Sequence, residues 1–189
     1  MSVTDTTHQT QAAPSEFDIE HHMPAGFGSG FAGQALFWIA VIFSVFQIYT
    51  AIFAPLPTQV LRAVHVGFLV LTACGLIANH RAPNALWRAL IWIAGLAGFG
   101  IGLYHWIFYA DLVNRAGELN HEDFAIGIAT IIILFAVSWR LMGAALPLIC
   151  LAFIAYAGWG DLLPAPFDHR PFDFEQIIEQ LSFGTEGIY

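Results

Sequence analysis

The stretch FAIGIATIIILFAVSWRLMGAALPLICLAFIAYAGW, residues 124–159, carries a single charge at Arg140, and its reading decides the fold. One continuous helix of about 36 residues would extend about 54 Å, far beyond a hydrocarbon core of about 30 Å. The run therefore divides into two spans, 124–137 and 141–159, with Arg140 and Gly143 near the turn. An arginine at the bilayer centre costs about 2.5–3.5 kcal/mol on the insertion scale, so Arg140 is expected at the interface, anchoring that turn.

Three more apolar runs lie upstream. Residues 33–53 are apolar apart from Gln34, Gln47 and small hydroxyl side chains, and they close at Pro55 and Pro57. Residues 60–78 hold Arg62 and His65 in their first turns, where long polar side chains reach the interface, and end at Asn79-His80-Arg81-Ala82-Pro83. Residues 86–108 are flanked by Trp87, Arg88, Trp106 and Tyr109, which belong at headgroup depth. A polar loop with Asp111, Arg115, Glu118, Glu122 and Asp123 leads into the quoted stretch. The expected fold class is all-α, an integral membrane bundle of about five transmembrane helices plus a C-terminal amphipathic segment.

Composition agrees with that reading. The chain is 58% hydrophobic and 11% charged, with a mean hydropathy of +0.67, whereas a soluble chain carries about 25% charged residues. Its 189 residues leave no room for a large soluble domain beside the spans. The net charge of −8 comes from 14 acidic residues against six arginines, which removes the usual basis for binding a phosphate backbone, so nucleic acid is excluded as a partner. Cys74 and Cys150 sit in separate apolar runs without a Cys-x-x-Cys partner and read as packing residues.

Residues 1–32 read as a disordered acidic tail, with Asp5, Glu16, Asp18 and Glu20 ahead of the Gly26-Phe27-Gly28-Ser29-Gly30 stretch. The tail lacks the Lys or Arg of a cleavable signal, so the first apolar run is expected to be a retained anchor. Residues 33–160 form the transmembrane domain, and 161–189 a loop and amphipathic segment. Within it, 172–183 puts Phe174, Ile177, Ile178 and Leu181 on one helical face, to lie on the membrane surface or against a partner. Arg81, Arg88 and Arg140 fall on one side of the membrane and Arg62, Arg115 and Arg170 on the other, so counting arginines leaves the orientation open.

Candidate sites are sparse. His65 and His105 would sit at similar depth on antiparallel helices, which makes a bis-histidine haem and an electron-transfer role conceivable. The preferred reading needs no cofactor, because each imidazole can bond a backbone carbonyl or a headgroup. His21-His22 falls in the tail, and His80, His121 and His169 lie in separate loops without metal-ligand spacing, so no metal is expected. Ala94, Gly98 and Gly102 form a small-xxx-small ridge, read as an internal packing face. No Ser-x-x-Lys, Gly-x-Ser-x-Gly, His-Glu-x-x-His or phosphate loop is present, no pair of carboxylates lies in a span, and no catalytic role is expected. Nor do the two halves show the paired broken helices that build transporter sites.

Some local strings carry a family resemblance. These are Phe43-Ser44-Val45-Phe46-Gln47-Ile48-Tyr49-Thr50-Ala51, Leu61-Arg62-Ala63-Val64-His65-Val66-Gly67-Phe68 and Arg140-Leu141-Met142-Gly143-Ala144-Ala145-Leu146-Pro147-Leu148-Ile149. With Phe153-Ile154-Ala155-Tyr156-Ala157, Leu163-Pro164 and the closing Gly184-Thr185-Glu186-Gly187-Ile188-Tyr189, they resemble the N-terminal region of fused TAXI-type TRAP transporter permeases. The resemblance covers roughly residues 33–189. It implies a small membrane subunit plus a connecting helix in a bacterial inner membrane, partnered by a large TRAP permease subunit or domain, by a periplasmic solute-binding protein and by membrane lipids. Substrate and coupling-ion sites would then belong to the large permease. It also implies a cytoplasmic N-terminus and a periplasmic amphipathic segment. Many relatives carry an acidic residue and two successive arginines before the Gly of the last interhelical turn; this chain has Ala136-Val137-Ser138-Trp139-Arg140, so no ion-pair role transfers.

Overall fold

The glycine-rich strip ahead of the first span is held against the end of the second. In the computed structural model, which describes residues 26–28, 30–184 and 187–189, the Asn79 side-chain amide donates to the Phe27 carbonyl at 3.3 Å. The Gly28 carbonyl lies so close to Gly33 that no side chain would fit there. The first helix consequently begins three residues before the expected start, as α1 (Gly30–Ile52). The rest of the tail, residues 1–25 and 29, lies outside the described residues.

Four further long helices follow or complete the spans: α2 (Thr58–Arg81), α3 (Ala85–Ile107), α5 (His121–Met142) and α6 (Ala145–Trp159). Between α3 and α5 lies the short α4 (Tyr109–Asn114), and after α6 come a 3-10 turn (Gly160–Leu162) and α7 (Phe174–Ser182). Among the described residues five helices, with α6 extended through its 3-10 turn, are long and apolar enough to cross a membrane. At 22–24 residues, α1, α2, α3 and α5 each reach about 33–36 Å, enough for a bilayer core with some tilt. The chain is an all-α, multi-pass membrane bundle.

The second helix is its axis. In the most apolar 18 residues of α2, 56% are buried, against 11–17% in the other spans, whose apolar side chains are left for lipid. Phe68 joins three helices, with ring centroids 4.9 Å from Phe43 on α1 and 4.7 Å from Phe99 on α3. The α2–α3 seam is lined by Gly95, Gly98 and Gly102, which meet Cys74, Val70 and Ala63. The expected packing face is there, with Gly95 in place of Ala94. Small residues spaced three and then four apart follow a seam of 3.5 residues per turn, whereas strict four-residue spacing drifts off it.

The quoted stretch is two helices. α5 ends at Met142, and Gly143 adopts φ 81° and ψ −175°, a region almost closed to residues with a Cβ. Pro147 falls in the first turn of α6, where a missing N–H leaves no helical bond unmade. Arg81 Nη1 donates to the Arg140 carbonyl at 2.9 Å, which satisfies one of the orphan acceptors in the last turn of α5. Gly143→Ala should lower stability by about 1–3 kcal/mol, the usual cost of such backbone strain. Reversible unfolding in detergent checks this, with Gly100→Ala as control, since a Cβ at Gly100 meets nothing; equal stability of the two variants would refute the strain.

The amphipathic segment packs on the chain's own helices. Its residues Ile177, Ile178 and Ser182 are buried against the chain's own bundle. Ser182 Oγ donates to the Gly127 carbonyl at 3.2 Å, and a Cβ on Gly127 would come within 2.6 Å of Ile178 Cγ2. Phe174 alone of the expected apolar face stays exposed, its edge toward Phe124. That placement has a local cause: Gly127 on α5 opens a notch filled by Ile178 beside Ser182 and Phe183, while Ile177 approaches Gly158 on α6.

Candidate functional site

The best-formed polar cluster sits where α3, the loop after α4, and α5 meet. Asn120 and Asp123 make a reciprocal capping box at the start of α5, with the Asp123 N–H donating to Asn120 Oδ1 at 2.8 Å. That cap points the Asp123 carboxylate inward, where it is fully buried. Arg115 meets it with two bonds, Nε to Oδ2 at 2.7 Å and Nη2 to Oδ1 at 2.9 Å. The Tyr104 hydroxyl donates to Oδ1 at 2.6 Å and accepts from Arg115 Nη2 at 3.1 Å. Bidentate pairing of this kind is the strongest an arginine makes. The bond to the carboxylate raises the Arg115 pKa above its already high ordinary value, so the cation is permanent. The three groups bond one another, and the cluster works as a clamp.

His105 faces a different neighbour, the C-terminal segment. Its Nδ1 lies 3.0 Å from the Ile101 carbonyl and its Nε2 3.2 Å from the Ser182 carbonyl, with the ring stacked on Phe183 and 4.2 Å from Tyr189. Tyr189 is itself buried and packed with Ala63 and Ile101. His65 turns instead to α1, where Gln47 Nε2 donates to its Nδ1 at 2.6 Å and Phe43 presents its edge. The expected carbonyl partner is thus found for His105, while His65 uses a side-chain amide.

The remaining singled-out residues are dispersed. Arg140 is exposed at the end of α5 beside Arg81. His169 bonds the Arg170 and Tyr156 carbonyls, and His80 closes the last turn of α2. His21-His22 lies outside the described residues. Among the described residues no group of three His, Cys, Asp or Glu side chains could hold a metal ion.

A large apolar cleft of about 1310 Å³ separates α6 from α5, walled by Leu134, Phe135, Cys150 and Ile154, with Gln176 and Gln180 at one end. It exists because α6 stands away from the bundle, with only Pro147 buried along the helix.

Sequence reading placed Arg115 and Asp123 in a loop and gave them no joint role. The spacing Asn120-x-x-Asp123 before an apolar run was the signal that Asp123 begins a helix. Nothing in the linear order pointed to Tyr104 as the third member.

Together these features define a multi-pass helical membrane protein whose best-formed polar cluster, around Asp123, is closed by internal contacts. No family model, curated protein or solved structure matches the chain.

Proposed function

We propose that the chain is the small, scaffolding membrane component of a TRAP-type secondary transporter in a bacterial inner membrane. In this reading it packs beside a large permease and steadies it while a periplasmic solute-binding protein delivers an organic acid. The observation that carries it is the engagement of the best-placed polar side chains of the bundle in internal bonds. Gln47 is spent on His65, Tyr104 and Arg115 on Asp123, and His105 on backbone carbonyls. A site for an organic acid or a coupling ion needs convergent polar groups with free bonding capacity. The resemblance of the local strings to TAXI-type TRAP permeases supports the reading, and a rigid bundle suits the static part of a transporter, against which a moving part works. With α1 starting on the cytoplasmic side, Arg81, Arg88 and Arg140 face the cytoplasm and α7 the periplasm. No reaction is assigned to the chain.

Two measurements test this. Affinity purification of the tagged chain from native membranes should bring down a large permease, and deleting the gene should abolish uptake of at least one acid in a radiolabelled organic-acid panel. Uptake unchanged for every acid would end the reading. So would a strong Soret band in the purified protein that disappears in His65→Ala, which would make it a haem protein instead.

A further inference from the structure

The two ends of the bundle differ in a way that counting arginines does not reveal. α2 and α5 finish, and α3 begins, at one end, which brings together Arg81, Arg88 and Arg140. Among the described residues every acidic side chain, from Asp111 to Glu179, lies at the opposite end, in the segments after α3 and after α6 and in the first turn of α5. Among the described residues the arginine end therefore carries charges of one sign, and the hydrogen bond from Arg81 Nη1 to the Arg140 carbonyl holds two of its members side by side.

Beneath this patch lies a groove of about 630 Å³ between α3 and α5. Cys74 and Ile77 of α2 form its floor, Ala94 and Ile133 its walls, and Trp87 and Trp139 stand at its mouth with Arg140. From Ile133 to Arg140 the groove follows α5 for about 10 Å, the upper part of a single leaflet. That is too short for a spanning helix of a partner but suits the first part of an acyl chain. Tryptophans at the mouth mark headgroup depth.

We propose that this groove binds an anionic phospholipid, one acyl chain lying along Ile133 and Ala94 and the phosphate held by Arg140 and Arg81. The charge selects the occupant: a basic mouth, without an acidic side chain among the described residues, favours a headgroup with net negative charge over a zwitterionic one, and an arginine fork matches phosphate oxygens. The site does not depend on the transport role, and either could fail alone.

Native mass spectrometry of the full chain in detergent, titrated with phosphatidylglycerol or with phosphatidylcholine of the same acyl chains, provides the test. Phosphatidylglycerol should be retained about fivefold or more over phosphatidylcholine, given the strength of one surface arginine for an anionic lipid. Arg140→Gln should lower retention by about fivefold, and Arg81→Gln combined with it by more, while Arg140→Lys keeps most of the preference. Arg170→Gln, at the other end, should leave retention unchanged. Ala94→Leu, which fills the groove without touching charge, should weaken retention of the lipid and guards against misfolding of the arginine variants. Equal retention of the two lipids, or unaltered retention in Arg140→Gln and Ala94→Leu, overturns the proposal. So does an acidic protein that co-purifies with the chain and is released by the arginine variants without lipid dependence.

Discussion

Asp123→Ala should destabilise the protein by about 3 kcal/mol, the lower end of the cost of removing one partner from a buried ion pair. The lower end applies because the Arg115 side chain, 28% exposed, can regain water once its partner has gone. The alanine removes both guanidinium contacts, the acceptor of the Tyr104 hydroxyl and one half of the capping box, so α3, the loop and the start of α5 lose their common tie. Asp123→Asn retains an acceptor for Tyr104 and should cost less, since it surrenders the charge but keeps the shape. Unfolding in mixed micelles followed by tryptophan fluorescence measures both. A loss below about 0.5 kcal/mol for the alanine variant, the range of an ordinary surface substitution, would show that the clamp contributes nothing.

Gly102→Leu is expected to be more disruptive still, with a loss above about 3 kcal/mol or no accumulation of folded protein. A Cβ at this position would lie 2.6 Å from the Ala63 carbonyl oxygen, a backbone atom that cannot swing aside. At Gly98 the obstacle is Val70 Cγ1 at 2.5 Å, so the same substitution there should cost less, because a side chain can readjust. In lipid the helices gain nothing from excluding water, and close backbone approach is what holds α2 against α3. Comparing the amount of folded Gly102→Leu, Gly98→Leu and Gly100→Leu protein by size exclusion in detergent gives the ranking. Equal yields from all three would mean that the seam is not where the structure puts it.

Both expectations rest on residues whose meaning changed between sequence and structure. Gly98 and Gly102 were legible as a small-residue ridge, but the ridge continues to Gly95 because the facing helix selects a seam, not a fixed spacing. Asp123 was legible only as one acid among several in a loop. Its burial follows from Tyr104 and Arg115 arriving at the same point, 19 and 8 positions away along the chain. The amphipathic pattern at 172–183 announced a helix with one apolar face correctly, yet the choice between membrane, partner and own bundle depended on the notch at Gly127 on a distant helix. For the same reason the mutual placement of Arg81 and Arg140 could not be read from their neighbours in sequence.

What the sequence determined by itself was the solvent and an approximate count: long uncharged runs belong in hydrocarbon, and the bilayer thickness converts their lengths into about five crossings, because transfer free energy accumulates residue by residue and needs no knowledge of partners. The tertiary structure alone decided which faces meet, that α2 is the axis, and that a tyrosine, an arginine and an aspartate close on one another. Those outcomes depend on how each helix is rotated about its own axis, and that rotation is set by contacts between residues far apart in the chain.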